Sequence, residues 1–262
     1  MFKLAFFDID GTLLSHRTHR VPPRTRRALA ALRDREVRTV VATGRHPMEL
    51  DAARLDGMVF DGFAAANGQM CLDGDRRLFM GRPIPREGVA ALARIYEQGE
   101  PLLWLFGEST SCANRAGDDS FAMAEQAGGV PPEVGPYGGD ALYQAVAFVS
   151  VDQEPALAAQ LPGCSLHRWG SEGVDIIAAD GGKVEGMRAF LSRFGCAREE
   201  CIAFGDQHND VEMLRFAGMG VAMGNGTAAA KEAADHVTSS VDDDGVARAL
   251  ERVGLLEPGW DG

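Results

Sequence analysis

Apolar runs too short to be helices alternate along this chain with stretches whose apolar residues recur every three or four positions. Leu4 to Phe7 is apolar throughout and ends on Asp8, which predicts a strand buried on both faces. Val21-Pro22-Pro23 then breaks the chain, and Arg24 to Arg35 predicts a helix with Ala28, Leu29, Ala31 and Leu32 turned inward. Val37 to Ala42 predicts a second buried strand, closing on Thr43-Gly44-Arg45, and Val59 to Ala66 a third, with Asn67-Gly68 behind it. Asp73-Gly74 makes the turn of a hairpin between Met70-Cys71-Leu72 and Leu78-Phe79-Met80.

At Gly81-Arg82-Pro83-Ile84-Pro85 the rhythm changes. From there the pattern predicts helix Arg86 to Gln98, strand Leu102 to Phe106, a short strand near Ser111 to Arg115, helix Asp118 to Gln126 and strand Ala141 to Val151. A short helix near Pro155 to Gln160 and strands at Ser165 to Arg168 and Val174 to Ala178 follow, up to Asp180-Gly181-Gly182. Flanked by Pro and Gly, this stretch reads as a compact α+β module inserted into a larger unit. Strand and helix then alternate again: helix from Lys183, strand Cys201 to Phe204, helix from Asn209, strand Gly220 to Met223 and helix Ala228 to Ala234. The expected fold class is α/β, a Rossmann-like parallel-sheet core built from residues 1–83 and 179–262 with an α+β domain, 84–178, inserted. Such sheets hold their ligands at the carboxyl ends of the strands, so the motifs that fall there matter most.

The composition narrows the partners. The chain has 262 residues, enough for a core and a smaller inserted domain, with 45% hydrophobic and 24% charged residues, as in soluble globular proteins. A formal net charge of −12 argues against nucleic acid or an anionic membrane as a main partner. It would also repel a phosphorylated ligand unless positive charge is supplied locally, and a divalent metal is the natural source. The cysteines, Cys71, Cys112, Cys164, Cys196 and Cys201, are scattered and form no C-x-x-C pair. They read as small buried residues in a reducing compartment. The chain enters its first strand without a signal-peptide pattern, and no apolar run approaches the roughly 18 residues that cross a membrane. A cytoplasmic location is expected.

The chemistry concentrates at strand ends. In Asp8-Ile9-Asp10-Gly11-Thr12, the residues two apart face the same way on extended chain, so both carboxylates can converge. Such a pair can share a hard cation, or divide the roles of nucleophile and general acid/base; a polar turn capping a strand would also use these residue types. Gly205-Asp206-Gln207-His208-Asn209-Asp210 likewise follows an apolar run. Asn209 with Glu212 has the spacing of an N-cap and its capping-box partner, which places a helix start there. Thr43 and Gly44 offer a hydroxyl and free N–H groups of the kind that bind a phosphoryl oxygen, or simply a cap. Lys183 stands where the core resumes; taken alone it would be a solvated surface residue. In the insert, Trp104 reads as core, His167-Arg168-Trp169 as the better candidate to meet a substrate, and Arg115 as a further possibility. His16, His19 and the arginines from Arg17 to Arg27 read as a solvated loop and helix face, and Gly138-Gly139 as a loop.

Together these residues resemble the haloacid dehalogenase superfamily of phosphotransferases. Asp8-Ile9-Asp10-Gly11-Thr12 matches its first motif, Thr43 its second, Lys183 its third and Gly205-Asp206…Asn209-Asp210 its fourth, in the family's order. The long insert resembles the type-two cap of the Cof-like subfamily, as do Ala42-Thr43-Gly44-Arg45 and Asn67-Gly68. One departure is Val184 after the lysine, where Cof-like proteins usually carry glycine. The resemblance implies that Asp8 is the nucleophile that becomes an aspartyl phosphate and that Asp10 is the general acid and base. It implies Mg²⁺ held by the Asp8 carboxylate, the Asp10 backbone carbonyl and Asp206, with Asp210 in support. Thr43, Gly44, Lys183 and Asn209 would bind the phosphoryl group of a small phosphorylated metabolite, and the cap would set specificity.

Two rival functions share these residues. A phosphomutase on the same fold would differ only in how well the cap excludes water. A non-catalytic module that senses a phosphorylated ligand would have no use for both Asp8 and Asp10. A nicotinamide-linked dehydrogenase is disfavoured, because Asp8-Ile9-Asp10-Gly11 stands where a glycine-rich fingerprint would follow the first strand.

Overall fold

In the computed structural model of the protein, the described residues are 1–51, 55, 57–116, 131–169 and 173–260. In chain order the strands are Leu4–Phe7 (β1), Arg38–Ala42 (β2), Gly62–Ala65 (β3), Met70–Asp73 (β4), Leu78–Gly81 (β5), Leu102–Phe106 (β6) and Ser111–Ala113 (β7). Then come Gln144–Phe148 (β8), Cys164–Arg168 (β9), Val174–Ala178 (β10), Cys201–Gly205 (β11), Met219–Ala222 (β12) and His236–Val237 (β13). They form two sheets, one ordered β13-β12-β11-β1-β2-β3-β4-β5 and the other β7-β6-β8-β10-β9.

The first sheet is parallel from β13 to β3 and ends in the antiparallel hairpin β4-β5. Pleating sorts the apolar run of β1: Ala5 and Phe7 enter the cluster on one face, Leu4 and Phe6 the cluster on the other. Helices Pro23–Asp34 and Gly245–Arg252 pack together on the first face, through Ala28, Leu29, Leu32 and Leu250. Helix Lys183–Phe194 covers the second through Met187, Phe190 and Leu191. The strand after β1 in sequence pairs on one side of it and the strand from the far end of the chain on the other. The carboxyl end of β1 is therefore the switch point of the sheet, where a cleft opens.

The second sheet is antiparallel throughout, and its two faces differ. Leu103, Leu105, Ala145, Ala147, Val174 and Ile176 point to helix Arg86–Gln98 and form a closed apolar core with it. The alternate positions, Trp104, Phe106, Gln144, Val146, Phe148 and Asp175, lie on the opposite face.

Most expected elements stand within a few residues of their predicted places. The third strand is shorter than its apolar pattern, starting at Gly62, since Val59 is exposed. Ala31 is only half-buried at the edge of its helix's apolar face. The expected helix at Asp118 to Gln126 lies outside the described residues. The sequence pattern gave no hint of β13 or of helix Gly245–Arg252. That helix has eight residues and opens on a glycine, behind Asp244 at φ 60°, so neither length nor capping chemistry announces it.

Candidate active site

Asp8 follows β1 directly, and its N–H extends the ladder by bonding the Phe204 carbonyl of β11 at 3.0 Å. The chain then turns back at once, with Leu13 and Leu14 N–H both reaching the Ile9 carbonyl. Gly11 makes the turn possible. It sits at φ 86°, and a Cβ there would collide with the Asp206 carboxylate. Asn225 holds the same turn from the far end of the chain, donating to the Gly11 carbonyl at 2.8 Å and accepting from Val241 N–H at 2.8 Å. Nothing about a lone Asn in a loop flags this role in the sequence.

Three carboxylates meet at the ends of β1 and β11. Oxygens of Asp8, Asp206 and Asp210 lie within 4.8 Å of one another, and all three residues are buried. Lys183 is buried among them, 2.7 Å from Asp8 Oδ1 and 2.6 Å from Asp210 Oδ1. The surface location that a lone lysine suggests is thus wrong, because helix Lys183–Phe194 starts with its first side chain aimed at the carboxyl ends of the central strands β1 and β11. Val184 lies in the first turn of that helix, where the branched side chain is accommodated.

One cation against three carboxylates leaves a charge deficit. Burial raises the Asp8 carboxyl well above the ordinary range, Lys183 opposes that, and Asp210 and Asp206 add to it. Burial, reinforced by Asp210, pushes Asp206 up to about 7. Burial would lower the Lys183 ammonium, but Asp210 and Asp8 together raise it well above its usual value. Lys183 is therefore charged, and the carboxylates share the unmet demand for positive charge. An all-oxygen cluster with surplus negative charge suits a hard divalent cation. Asp206 is further oriented by Thr12 Oγ1 at 3.0 Å and by Gln207 Nε2 at 3.2 Å.

Asp10 does not join this cluster through its side chain. Its carboxylate is held by Arg45 on both oxygens, at 2.7 and 2.8 Å. Arg45 follows Thr43-Gly44 in the sequence, yet only the tertiary structure brings it to Asp10. Thr43 is buried beside the cleft, and its hydroxyl accepts from Arg45 N–H at 3.1 Å. Asn209 lines the cleft and donates to Asn67 Oδ1 at 3.2 Å. It is not the helix cap that its spacing from Glu212 suggests. The chain after β11 makes a 3-10 turn over His208–Asp210 before the helix Val211–Phe216. There Asp210 Oδ2 accepts from Asp206 N–H at 2.9 Å and Gln207 N–H at 3.0 Å. By accepting these two N–H groups Asp210 closes the loop that presents Asp206.

The second sheet roofs the cleft with its non-helical face. The cavity beneath is about 440 Å³, with Asp8 and Asp10 on its floor and Trp104, Phe148 and Trp169 above. Trp104 is buried as expected, yet it lines the cavity as well. Of His167-Arg168-Trp169, Trp169 alone lines it. Arg168 pairs with Glu154 at 2.7 Å, and His167 contacts Ser165 at 3.0 Å. Arg115 bonds the Gly99 carbonyl at 3.1 Å, away from the cavity. His16 and His19 are exposed, as a solvated loop requires, but they stand at the cavity's mouth.

Roof and floor are joined through Asn67 and Gly44 and through Gln144, Asp175 and His46, which the sequence did not single out. Gln144 Nε2 donates to the Gly44 carbonyl at 2.8 Å, Asn67 Nδ2 donates to Asp175 Oδ2 at 2.6 Å, and His46 stacks on Phe106 at 5.0 Å. Asp175 and His46 are buried titratable groups at this seam. Burial pushes Asp175 up to about 7, partly offset by Asn67, and pushes His46 down to about 4. Asp175 starts from an ordinary 3.8, so between pH about 4 and 7 the folded chain keeps a proton that the unfolded chain has released. Stability therefore falls as pH rises through that window. Asp175→Asn, which can still accept from Asn67, should flatten that fall. Melting temperatures measured in EDTA from pH 4.5 to 8 should converge at the acid end and favour the variant at the alkaline end. Parallel curves would mean that Asp175 is ionised throughout.

Comparison with known proteins agrees with this geometry. The family of haloacid dehalogenase-like hydrolases matches residues 5–250. The Bacillus subtilis protein YkrA is 33% identical over 260 residues, covering 97% of this chain and 99% of its own. Phosphoglycolate phosphatase of Archaeoglobus fulgidus is 30% identical over 253 residues, covering 95% and 96%. Among solved structures, the subclass IIB sugar phosphatase BT4131 superposes with a TM-score of 0.84 at 31% identity, covering 97% of this chain and all of its own. No helix among the described residues is long and apolar enough to cross a membrane. The α/β fold and the match along nearly the whole chain lead to one assignment: the chain belongs to the haloacid dehalogenase-like hydrolases, as a Cof-like phosphatase that hydrolyses phosphoric monoesters.

Proposed function

We propose that the protein is a Mg²⁺-dependent phosphatase of small phosphorylated metabolites that works through a phosphoenzyme on Asp8, with residues 84–178 as the cap that selects the substrate. The single observation that carries this reading is the buried group of Asp8, Asp206, Asp210 and Lys183 at the carboxyl ends of β1 and β11. Two features of the relatives' names fit it: one acts on phosphoglycolate and another is a sugar phosphatase.

In this reading Asp8 attacks phosphorus, its carboxylate oxygen forming a bond as the ester P–O bond breaks. Lys183 holds Asp8 Oδ1 and so fixes the direction of attack. Asp10 gives its proton to the departing alkoxide. It then takes a proton from water, whose oxygen attacks the phosphoryl group and releases Asp8. Each Asp10 oxygen accepts one bond from Arg45 and keeps a second lone pair for the proton it carries. Thr43, Gly44 and Asn209 line the place where the phosphoryl oxygens would lie. Asp8, Asp206 and the Asp10 carbonyl would hold the Mg²⁺, with Asp210 ordering the loop. The ion would supply the positive charge that a phosphoryl dianion needs in an acidic protein.

The test is metal dependence. Purified protein should release phosphate from acetyl phosphate or an aryl phosphate with Mg²⁺, and should stop when EDTA is added. Asp206→Asn should raise the half-saturating Mg²⁺ concentration by on the order of 10-fold or more, because a hard cation loses a charged oxygen. Undiminished turnover in EDTA would sink the metal assignment.

A further inference from the structure

Asn67 stands where three parts of the cleft meet. Its backbone N–H donates to the Thr43 carbonyl at 2.9 Å, which ties the turn behind β3 to the end of β2. Asn67 is 1% exposed, and its side chain bonds in two directions. Nδ2 donates to Asp175 Oδ2 at 2.6 Å, and Oδ1 accepts from Asn209 Nδ2 at 3.2 Å. Asp175 belongs to β10 of the roof, Asn209 to the turn His208–Asp210 on the floor. One buried amide therefore links a carboxylate of the inserted domain to a residue of the candidate phosphoryl site. The seat is tight: a Cβ on Gly44 would lie 3.1 Å from Asp175 Oδ2 and 3.4 Å from both polar atoms of the Asn67 amide.

The chemistry of the three groups fixes the direction of this chain. An ionised carboxylate only accepts, so Asp175 obliges Asn67 to present its NH₂ to the roof and its oxygen to the floor. That oxygen needs a donor, so Asn209 turns its NH₂, and not its own oxygen, toward Asn67. The Asn209 NH₂ carries two N–H groups, and Asn67 takes one of them. The second stays with the cleft that Asn209 lines. Phosphoryl oxygens are acceptors, so a donor is what the cleft must show them. Without an acceptor at Asp175, the Asn67 amide is free to turn over and offer its NH₂ to Asn209, which would then accept through its oxygen. An amide already held in the donating orientation binds better, because little ordering is left to be done when the ligand arrives.

We propose that Asn67 is a positioning residue, through which Asp175 of the roof holds the Asn209 amide with its donor toward the phosphoryl group. The inserted domain thus contributes to phosphoryl binding as well as to the choice of leaving group. This rests on the phosphatase reading above, from which the place of the phosphoryl group is taken, and adds two residues to that site.

Inorganic phosphate has no leaving group, so a roof residue that only selects leaving groups cannot alter its affinity. The experiment is a calorimetric titration of the full chain with inorganic phosphate, in Mg²⁺ at pH 8, where Asp175 is ionised. Asp175→Ala should weaken phosphate binding by about 5-fold, the worth of one ordinary hydrogen bond. Asp175→Asn, which still accepts from Asn67, should keep most of the affinity. Asn209→Ala should lower it by about 10-fold or more, as losing a bond to a charged group does. On that background Asp175→Ala should cost nothing further, since the amide it steadies is gone. Asn67→Gly suits the left-handed φ of 52° at this position and should repeat the Asp175→Ala result in both backgrounds. If Asp175→Ala does not fold, Asn67→Gly decides alone. Equal losses with and without Asn209 would mean a merely structural role and overturn the proposal, as would an affinity that neither variant changes. Phosphate bound with this coupling, but no hydrolysis of acetyl phosphate, would sink the phosphatase reading and leave the positioning role standing. Turnover of acetyl phosphate without the coupling would sink this proposal alone.

Discussion

Asp8→Asn should abolish phosphate release, with a loss on the order of 10⁴-fold or more, and should leave no covalent phosphoenzyme. Asp8 is the better placed of the two motif carboxylates to be the nucleophile. Its backbone is pinned to β11 by the bond to Phe204, and Lys183 fixes one carboxylate oxygen. Asp10 stands beyond the strand, on the turn, with its side chain held only by Arg45 among the described residues. An in-line attack needs the first kind of support, and a proton donor that later serves water needs the second. Asp10→Asn should therefore slow both half-reactions yet leave Asp8 able to react with an activated ester. Rapid acid quench and mass spectrometry of the Asp10 variant should find phosphate on the peptide carrying Asp8. Label on Asp10 in the Asp8→Asn variant would reverse the assignment. Label on neither, even in the wild type, would favour direct attack by water.

Lys183→Met should cost the protein much more than the loss of a lysine usually does. A solvated lysine can be replaced within about 0.5 kcal/mol. Lys183 is instead the one cation among the described residues that touches both Asp8 and Asp210, and removing one partner of a buried ion pair costs about 3–5 kcal/mol. For a chain of this size each 1 kcal/mol moves the melting temperature by about 2–4 °C, so a fall of about 10 °C is expected at pH 7.5 in EDTA. The sign with pH follows from the charges left behind. Without the ammonium, the buried Asp8 folds at least cost when protonated, so the variant should recover as pH falls toward 5. Added Mg²⁺ should recover part of the loss at pH 7.5, because the ion replaces the missing positive charge. Scanning calorimetry across both series checks this. A change below about 1 °C, or no response to pH, would mean that the ion pairs contribute little.

The chain's own pattern determined the frame of this protein. Doubly buried strands must be wholly apolar, and their ends must carry whatever chemistry the fold has. Asp8, Thr43 and Asp206 each lie just past such a run, so a linear reading could find them. The same periodicity marked β6, β10 and helix Arg86–Gln98 to the residue. Tertiary structure decided what depends on contacts between distant segments. Arg45 meets Asp10 across 35 positions, Lys183 meets Asp8 across 175, and Asn67 meets Asp175 across 108. No local signal distinguishes such a lysine from a solvated one, or such an aspartate from a surface one. Asp210, and not Asn209, orders this loop because its oxygens reach two N–H groups and a lysine at once, which only the folded loop reveals. The aromatic roof was hidden for a related reason. Period-2 alternation shows that Trp104 and Phe148 share a face of their sheet, but a face turned toward a second core looks the same in sequence as one turned toward an active site.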